Sequence, residues 1–276
     1  MKDSKCLLLI LIVVFVTGCA APYHTTVVDQ LDFSKDVSSL ELTGFNGSVN
    51  WNAIPAWETP YIIVEKRVAG TSESAIKAYA RTIDTNIIES LDSLEVRTTQ
   101  RDRPHGVKGV SISYHVYASP SNIQSFMAST SNGSIWIEDF KGEVDLQTSN
   151  GSVTFDNGWG KAKVHTSNGR IELNRVTLTG NSSLRTSNGR IAGDVDLIPG
   201  NDYTFETSNG RIDMAISRYT EGRFDLKTSN GQIDVSLTGN KVRDSSPVRI
   251  VVGDPKTTVL IRTSNGSIYL TESWNW

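Results

Sequence analysis

Seven copies of Thr-Ser-Asn-Gly limit the folds open to this chain of 276 residues more than any other feature. Each copy is followed by one polar residue and then by Ile or Val, and the copies start 18 to 21 residues apart, except for a last step of 35. A repeat of this length is typical of a solenoid with one such corner in every coil. The copies occupy residues 130–133, 148–151, 166–169, 186–189, 207–210, 228–231 and 263–266.

Apolar and polar side chains alternate on both sides of each corner. Around the third copy, Ala162, Val164 and Thr166 alternate with polar residues, and Ile171 and Leu173 do the same after the corner. A period of two predicts two short strands per coil with the apolar set pointing inward. We therefore predict a mainly β fold, a single-chain β-solenoid with about 18–21 residues per turn and Asn-Gly corners, plus one amphipathic helix near the N-terminal end.

The corner residues suggest how the coils are held together. Asn and Gly adopt positive φ at low cost, so we expect them to reverse the chain within two residues. Like positions of stacked coils lie about 4.8 Å apart, so the asparagines should form an amide ladder and the inward threonines a hydroxyl column. The predicted ladder consists of Asn132, Asn150, Asn168, Asn188, Asn209, Asn230 and Asn265.

The N-terminal part of the chain contains a degenerate corner and one helix pattern. The segment 45–49, with Asn46 and Gly47, looks like a first copy of the corner. Thr71 or Ser72 is a suitable N-cap for a helix that we expect to cover the first coils of the solenoid. Its apolar stripe has spacings of three and four residues. The stripe consists of Ile76, Tyr79, Ala80, Ile83, Ile87 and Leu91.

The first residues have the pattern of an export signal. Residues 6–16 are an unbroken apolar run, shorter than the roughly 20 residues that span a bilayer but typical of a signal peptide. Residues 16–19, with the sequence VTGC, resemble the lipobox of bacterial lipoproteins, which implies lipidation of Cys19. The alternative is an ordinary signal peptide with a chance cysteine. Ala20 after the cysteine favours the outer membrane if the host is Gram-negative.

The chain therefore divides into four predicted segments. Residues 1–18 are a lipoprotein signal peptide, and residues 19–37, which have no regular period, are a tether. Residues 38–120 form an N-terminal α/β cap with the first solenoid strands, and residues 121–276 form the repeat solenoid.

The last step of 35 residues has two explanations. Residues 239–258 contain either a coil that has lost its corner or an inserted hairpin in which residues 248–252 turn at Gly253. We favour the hairpin, because a Gly-Asp-Pro sequence is typical of a turn. Trp274 and Trp276 are large enough to cover the last open coil.

These features together resemble the DUF4097 family of bacterial proteins, which is described as adhesin-like and related to the toastrack domains. The resemblance covers the chain from about Ser38 onward. It rests on the segment 47–49, the helix after the early strands, the strand 110–114 that leads into Pro120, and the run of Ser-Asn-Gly corners. The resemblance implies an architecture and an adhesive role, and no catalytic residues come with it.

The residue after each corner glycine is the one repeat position with chemical character. Arg170, Arg190 and Arg211 occupy it in three consecutive coils, which predicts a column of guanidinium groups able to bind anionic ligands. The alternative is a solvated charge ladder, because acidic residues follow two positions later in several coils and could pair with the column. These acids are Glu172, Asp213 and Asp234.

The sequence favours binding over catalysis. The outward acids recur as repeat positions rather than as one distinct pair, the four histidines have no metal-ligand spacing, and a net charge of −3 does not indicate nucleic-acid binding. We therefore expect no enzyme, no cofactor and no metal, but a lipid-anchored envelope protein that acts as an adhesin or surface-binding scaffold. Its partners would be the membrane, through Cys19, and an anionic glycan or an envelope protein.

Two alternatives stay open. The first is a periplasmic envelope-stress or assembly component that binds a protein partner through residues 100–109 or 239–258. The second is a glycan-active enzyme, because β-solenoids can carry such activities.

Overall fold

A computed structural model describes residues 23–273, which form two compact units that meet in sequence between Gly133 and Ser134. The predicted signal peptide, Cys19, Trp274 and Trp276 lie outside the described residues. Within residues 23–273, no helix is long and apolar enough to cross a membrane.

The first unit contains eight strands and one helix. Four strands form a mixed sheet in the order β1-β4-β7-β3, and four form a second sheet in the order β5-β6-β2-β8. The elements are β1 (Tyr23–Asp32), β2 (Ser39–Thr43), β3 (Asn46–Ala53), β4 (Tyr61–Gly70), α1 (Glu73–Ala80), β5 (Asp84–Glu89), β6 (Ser93–Thr99), β7 (Val107–Ala118) and β8 (Ser125–Thr130).

Strand β1 corrects the prediction of a tether over residues 19–37. It pairs antiparallel with β4 along its whole length, and Asp29 on it is buried against Lys66 of β4. The polar residues of this segment had suggested a solvated linker, but the buried ion pair and the ladder of backbone hydrogen bonds satisfy them within the sheet.

The helix is shorter than its apolar stripe predicted. Ser72 is the N-cap and accepts a hydrogen bond from the backbone N–H of Ala75, whereas the helix ends at Ala80. The chain then enters β5, where Ile87 is 44% exposed. The β-branched residues that follow the helix favour a strand over a third helical turn. The helix packs on β4, β1 and β7 of the first unit.

The second unit is the β-solenoid that the repeats predicted. Its sixteen strands belong to two sheets, and each full coil contributes one strand to each sheet. The strands are β9 (Ile135–Glu138), β10 (Glu143–Thr148), β11 (Val153–Asp156), β12 (Trp159–Gly160), β13 (Ala162–Thr166), β14 (Ile171–Leu178), β15 (Ser182–Thr186), β16 (Ile191–Leu197), β17 (Asp202–Thr207), β18 (Ile212–Ser217), β19 (Gly222–Thr228), β20 (Ile233–Leu237), β21 (Asn240–Asp244), β22 (Val248–Val252), β23 (Thr258–Thr263) and β24 (Ile268–Ser273).

The two sheets are parallel except at one end. Sheet A has the order β9-β11-β14-β16-β18-β24-β20-β21, with β12 beside β14, and sheet B has the order β10-β13-β15-β17-β23-β19-β22. Strands β21 and β22 are antiparallel to their neighbours β20 and β19. The inward residues predicted from the period of two are buried, for example Leu146, Phe155, Phe205 and Phe224.

The stacking order of the coils differs from their order in the sequence. The last coil, β23 and β24, lies between the coil of β17 and β18 and the coil of β19 and β20. The insertion that precedes it supplies β21 and β22, which cover the end of the stack. The step of 35 residues is therefore neither a coil without a corner nor a hairpin of β22 with the strand after it. The prediction that Trp274 and Trp276 cover an open end of the solenoid assumes that the coil before them is the last of the stack, whereas this coil lies between two others.

Candidate functional site

The threonines and glycines of the corners bind neighbouring coils to each other. The hydroxyl group of Thr186 donates to the carbonyl oxygen of Gly169 over 3.0 Å, and Thr207 donates to Gly189 over 2.9 Å. The predicted threonine column is therefore present, but its hydroxyl groups bind glycine carbonyl groups rather than one another. Four further pairs follow the same pattern, namely Thr130 with Gly47, Thr166 with Gly151, Thr263 with Gly210 and Thr228 with Gly266.

The corner glycines are required by space and not by backbone conformation. A Cβ atom on Gly169, Gly189 or Gly210 would lie 1.7–1.8 Å from the carbonyl oxygen of the corner glycine in the adjacent coil. None of these glycines, and no Asn of the seven copies, has a positive φ among the described residues. The expected reason for Asn-Gly at the corner is thus wrong, because the chain turns there with ordinary φ values and the coils approach too closely for a side chain.

The predicted asparagine ladder is present in both units. In the second unit each amide donates to the side-chain oxygen of the asparagine before it in the stack, over 2.7–2.8 Å. The stacking order is Asn150, Asn168, Asn188, Asn209, Asn265 and Asn230. In the first unit Asn132 donates to Asn46, which confirms the degenerate first corner. The amides are exposed, so the ladder lies on the surface rather than inside a buried corner.

The arginine column, Arg170, Arg190 and Arg211, lies on the outer face of sheet A. Each arginine directly precedes the first residue of its strand, β14, β16 or β18, and the strand registers place the three side by side. Each arginine side chain is 44–54% exposed. Ser267 continues the row beyond Arg211, because the coil inserted there carries serine at this position.

The acids beside the column are fewer than its cations. Glu172 pairs with Arg170 at 3.3 Å, and Asp213 pairs with both Arg190 and Arg211, at 2.6 and 2.7 Å. Arg190 shares an acid because the residue two positions after it is Ala192. The predicted acidic column is therefore interrupted, and Asp234 is separated from Asp213 by the strand that carries Tyr269.

Two exposed aromatic residues lie in the row beside the arginine column. Trp136 is 52% exposed and Tyr269 is 37% exposed, and the guanidinium carbon of Arg211 lies 5.3 Å from the centre of the Tyr269 ring. Registers place both residues in the row of Glu172 and Asp213. Neither residue belongs to a site predicted from the sequence, although each stands three residues after a corner glycine. Their separation of five strands corresponds to about 24 Å.

Metal-ligating side chains are not clustered in this part of the molecule. Within residues 23–273, no group of three or more His, Cys, Asp or Glu side chains is arranged to hold a metal ion. The carboxylates on the outer face of sheet A instead act as partners of the arginine column.

Several crystal structures are similar to this chain at low identity. A "putative adhesin" from Bacteroides fragilis is 13% identical, with a TM-score of 0.43 over 88% of this chain and 96% of that chain. A "putative cell adhesion protein" from Clostridium sporogenes is 11% identical, with a TM-score of 0.39 over 90% of this chain and all of that chain. A "putative lipid binding protein" from Parabacteroides distasonis is 11% identical, with a TM-score of 0.37 over 88% and 96%.

The family of the chain follows from its sequence. No curated protein matches the chain. The family model described as "Toastrack DUF4097" matches residues 87–271, a segment that includes all seven Thr-Ser-Asn-Gly copies. Because this match covers more than half of the 276 residues and agrees with the resemblance of the corners, the chain belongs to the Toastrack DUF4097 family.

Proposed function

We propose that this protein is a non-catalytic, lipid-anchored scaffold of the cell envelope whose arginine column binds an extended anionic glycan. The observation that carries the proposal is the excess of cations in the column, where three arginines share the two carboxylates of Glu172 and Asp213. Among these five side chains about one positive charge is left over, and solvent reaches all three arginines. Guanidinium groups bind carboxylates through two parallel hydrogen bonds, so uronate groups suit this column.

The spacing of the column suits a polymer rather than a single sugar. Successive arginines lie one strand apart, about 4.8 Å, which is close to the length of one sugar unit in an extended chain. Trp136 and Tyr269 lie on either side of the arginines in the next row and offer flat apolar surfaces for sugar rings. A glycan that crosses the strands would meet aromatic rings at both ends and cations between them.

A binding role fits the chemistry of this face better than hydrolysis does. Glycoside hydrolysis needs two carboxylic groups with different environments on either side of the scissile bond. Glu172 and Asp213 are both ion-paired with arginines, and Ala192 separates them in the row. These acids orient and partly neutralise the arginines, which is a positioning role.

The anchoring part of the proposal rests on the sequence. The apolar run of residues 6–16 and the VTGC sequence ending at Cys19 support export and lipidation, and Ala20 favours the outer membrane in a Gram-negative host. Replacing Cys19 by Ser should move the protein from the membrane fraction to the soluble fraction and abolish labelling by a radioactive fatty acid such as palmitate. Continued labelling would contradict lipidation at this residue.

The glycan-binding part is tested with a triple variant. Replacing Arg170, Arg190 and Arg211 by Gln should weaken binding to polygalacturonate at least about tenfold, because each charged contact is worth more than 1 kcal/mol. The measurement is calorimetry or surface binding at two salt concentrations, with neutral dextran as a reference ligand. Thermal unfolding of the variant should change little, because the pairs are exposed.

A second triple variant controls for net charge. Lys161, Lys163 and Arg185 are also ion-paired and at least 43% exposed, but they lie on sheet B and the turn leading into it. Replacing them by Gln changes the net charge equally and should leave polygalacturonate binding unchanged. Equal losses in the two triple variants, or no loss in either, would overturn the assignment of the glycan site to the arginine column.

A protein partner is the second candidate function. The specific observation in its favour is that β21 and β22, within the inserted segment 239–258, are edge strands of sheets A and B. Val251 on β22 is 53% exposed. An edge strand can add a strand from another protein. Replacing Val251 by Lys should abolish a pull-down that depends on this edge and leave glycan binding intact.

A further inference from the structure

A second basic surface lies on sheet B, away from the arginine column. A cleft of about 440 Å³ opens where β22 adds to β19, next to β23. Its volume is within the range of small-molecule sites. We call it the basic cleft, and the side chains that matter for its chemistry are Asp225, Lys227, Pro247, Arg249, Leu260 and Arg262.

Two cations in the basic cleft face each other without an acid between them. Lys227 on β19 is directly opposite Arg262 on β23 in the parallel register. Both side chains are exposed, and neither has an ion-pair partner among residues 23–273. Like charges directly opposite each other on neighbouring strands are unfavourable. An anion between them would relieve this repulsion.

The nearby acids are already engaged. Glu206 is opposite Arg262 on the other side, but its carboxylate pairs with Arg185 at 3.5 Å. Asp225 pairs with Arg223 at 3.1 Å and closely with Arg249. Asp225 therefore compensates the arginines on its own side of the cleft. Lys227 and Arg262 stay as two uncompensated positive charges.

The charge and lining of the basic cleft select the ligand class. We propose that the cleft binds a phosphate monoester, with Lys227 and Arg262 on the phosphate and Leu260 and Pro247 against the group that carries it. A phosphate monoester has a charge of about −1.5 to −2 at pH 7, which matches two uncompensated cations, whereas a carboxylate has one negative charge. An Arg fork and a Lys point charge are both common phosphate ligands. Leu260 is partly exposed and Pro247 exposed, so both present apolar surface.

The experiment uses phenyl phosphate as the probe and isothermal calorimetry or NMR titration as the measurement. We expect phenyl phosphate to bind more tightly than benzoate, which has a similar ring but a single charge. Replacing Lys227 or Arg262 by Gln should weaken phenyl phosphate binding at least about tenfold each, because a charge-assisted hydrogen bond is lost. Both side chains are exposed, and thermal unfolding will establish that the variants are folded.

The matched control is Lys163→Gln. Lys163 is exposed on the same face of sheet B, three strands from Arg262, and is paired with Asp145 at 2.7 Å. Phenyl phosphate should bind this variant as it binds the unchanged protein. Equal loss in the Lys163, Lys227 and Arg262 variants, or benzoate binding as tight as phenyl phosphate binding, would overturn the proposal.

Two sources of the phosphate group are separated by a vesicle assay. Vesicles of phosphatidylcholine with phosphatidic acid present a lipid monoester, and phenyl phosphate represents a soluble one. The proposal is supported if the protein binds the vesicles or phenyl phosphate and the Lys227 and Arg262 variants lose that binding. It is overturned if the protein binds neither probe. The triple variant of the arginine column should keep phosphate binding, so the failure of one site is distinguishable from the failure of the other.

Discussion

Gly189 and Gly169 of adjacent coils approach so closely that a Cβ atom on Gly189 would lie 1.8 Å from the carbonyl oxygen of Gly169. The neighbouring atom is backbone, so it cannot move without disturbing the hydrogen bond that Thr186 donates to the same oxygen. Gly189→Ala should therefore lower the free energy of unfolding by about 3 kcal/mol or more. Gly109→Ala is the control, because the nearest atom to its Cβ would be 3.9 Å away. Urea unfolding measures the stability of both variants. A loss for Gly189→Ala as small as that for Gly109→Ala would contradict the close approach.

The threonine and the asparagine of one corner should differ in their contribution to stability. Thr166 is fully buried, donates to Gly151 and accepts from the backbone N–H of Gly169 over 3.1 Å. Thr166→Val leaves two backbone groups without partners, so we expect a loss of about 2–4 kcal/mol. Asn168→Ala removes exposed ladder bonds that water can replace, so we expect about 1 kcal/mol or less. Equal losses in urea unfolding would contradict this ranking.

The ion pair of Asp29 and Lys66 should be sensitive to the loss of one partner. Lys66 Nζ lies 2.6 Å from Asp29 and donates to the carbonyl oxygen of Ile83 over 3.0 Å, and both charged residues are buried. Lys66→Met leaves a buried carboxylate uncompensated and should lower the free energy of unfolding by about 3–5 kcal/mol.

The double variant of this pair separates charge from packing. Replacing Asp29 by Leu together with Lys66 by Met removes both charges, so most of the lost stability should return. The exposed Lys108→Met serves as the control for removing a lysine from this sheet. A double variant as unstable as Lys66→Met would mean that the loss comes from packing.

Tyr203 should make the protein less stable in alkaline solution. Burial raises the pKa of Tyr203 to about 12, and its hydroxyl group lies 2.7 Å from the carbonyl oxygen of Ile198. In the unfolded chain a tyrosine has a pKa near 10. As the pH rises from about 10 to about 12, the unfolded chain loses the proton first, so the free energy of unfolding falls, on the order of 1 kcal/mol per pH unit.

The variant Tyr203→Phe tests this pH dependence. It should be less stable at neutral pH, because the hydroxyl bond is lost, but its stability should fall less steeply above about pH 10. Tyr219→Phe is the control, because Tyr219 is 65% exposed. The measurement is the urea midpoint at several pH values. Equal slopes for Tyr203→Phe and the unchanged protein would show that Tyr203 does not cause the loss.

Truncating the chain after Gly239 should also destabilise a coil that the truncated chain still contains, that of β19 and β20. The truncated chain lacks β21 to β24, and the coil of β19 and β20 then has none of the strands that flank it in the two sheets. We expect limited proteolysis to remove this coil and leave the earlier coils protected. Protection of the coil at the level of the complete chain would contradict its dependence on the later strands.

The repeated part of the fold could be predicted because its signals are local. The alternation around Thr166 determines which side chains are buried, and the recurrence of the same four residues at each corner determines the register of the asparagine ladder. The position of Tyr269 beside Asp213 could not be predicted in this way. It depends on which coil lies next to β18, and that choice is made by long-range packing rather than by any pattern within the coil.

The corner and the N-terminal unit show a different limit of sequence patterns. A positive-φ turn and a close approach between backbones both require glycine, so an Asn-Gly sequence cannot distinguish them. At Gly189 the structure shows the close approach, to Gly169. The helical spacing continued through Ile87, but that residue lies in β5, where pairing with β6 decides its conformation. The lining of the basic cleft could not be predicted from the sequence either. Lys227 and Arg262 are 35 residues apart and become neighbours only because β23 stacks on β19.

Strands β23 and β24 are synthesised after both of the coils that flank them in the stack. The stack therefore cannot be completed progressively as the chain emerges. Until residues 258–273 arrive, the neighbouring strands present open edges, which are sites of aggregation and proteolysis. A chain terminated before residue 258 keeps these edges open, so the topology makes closure of the stack depend on the synthesis of β23 and β24.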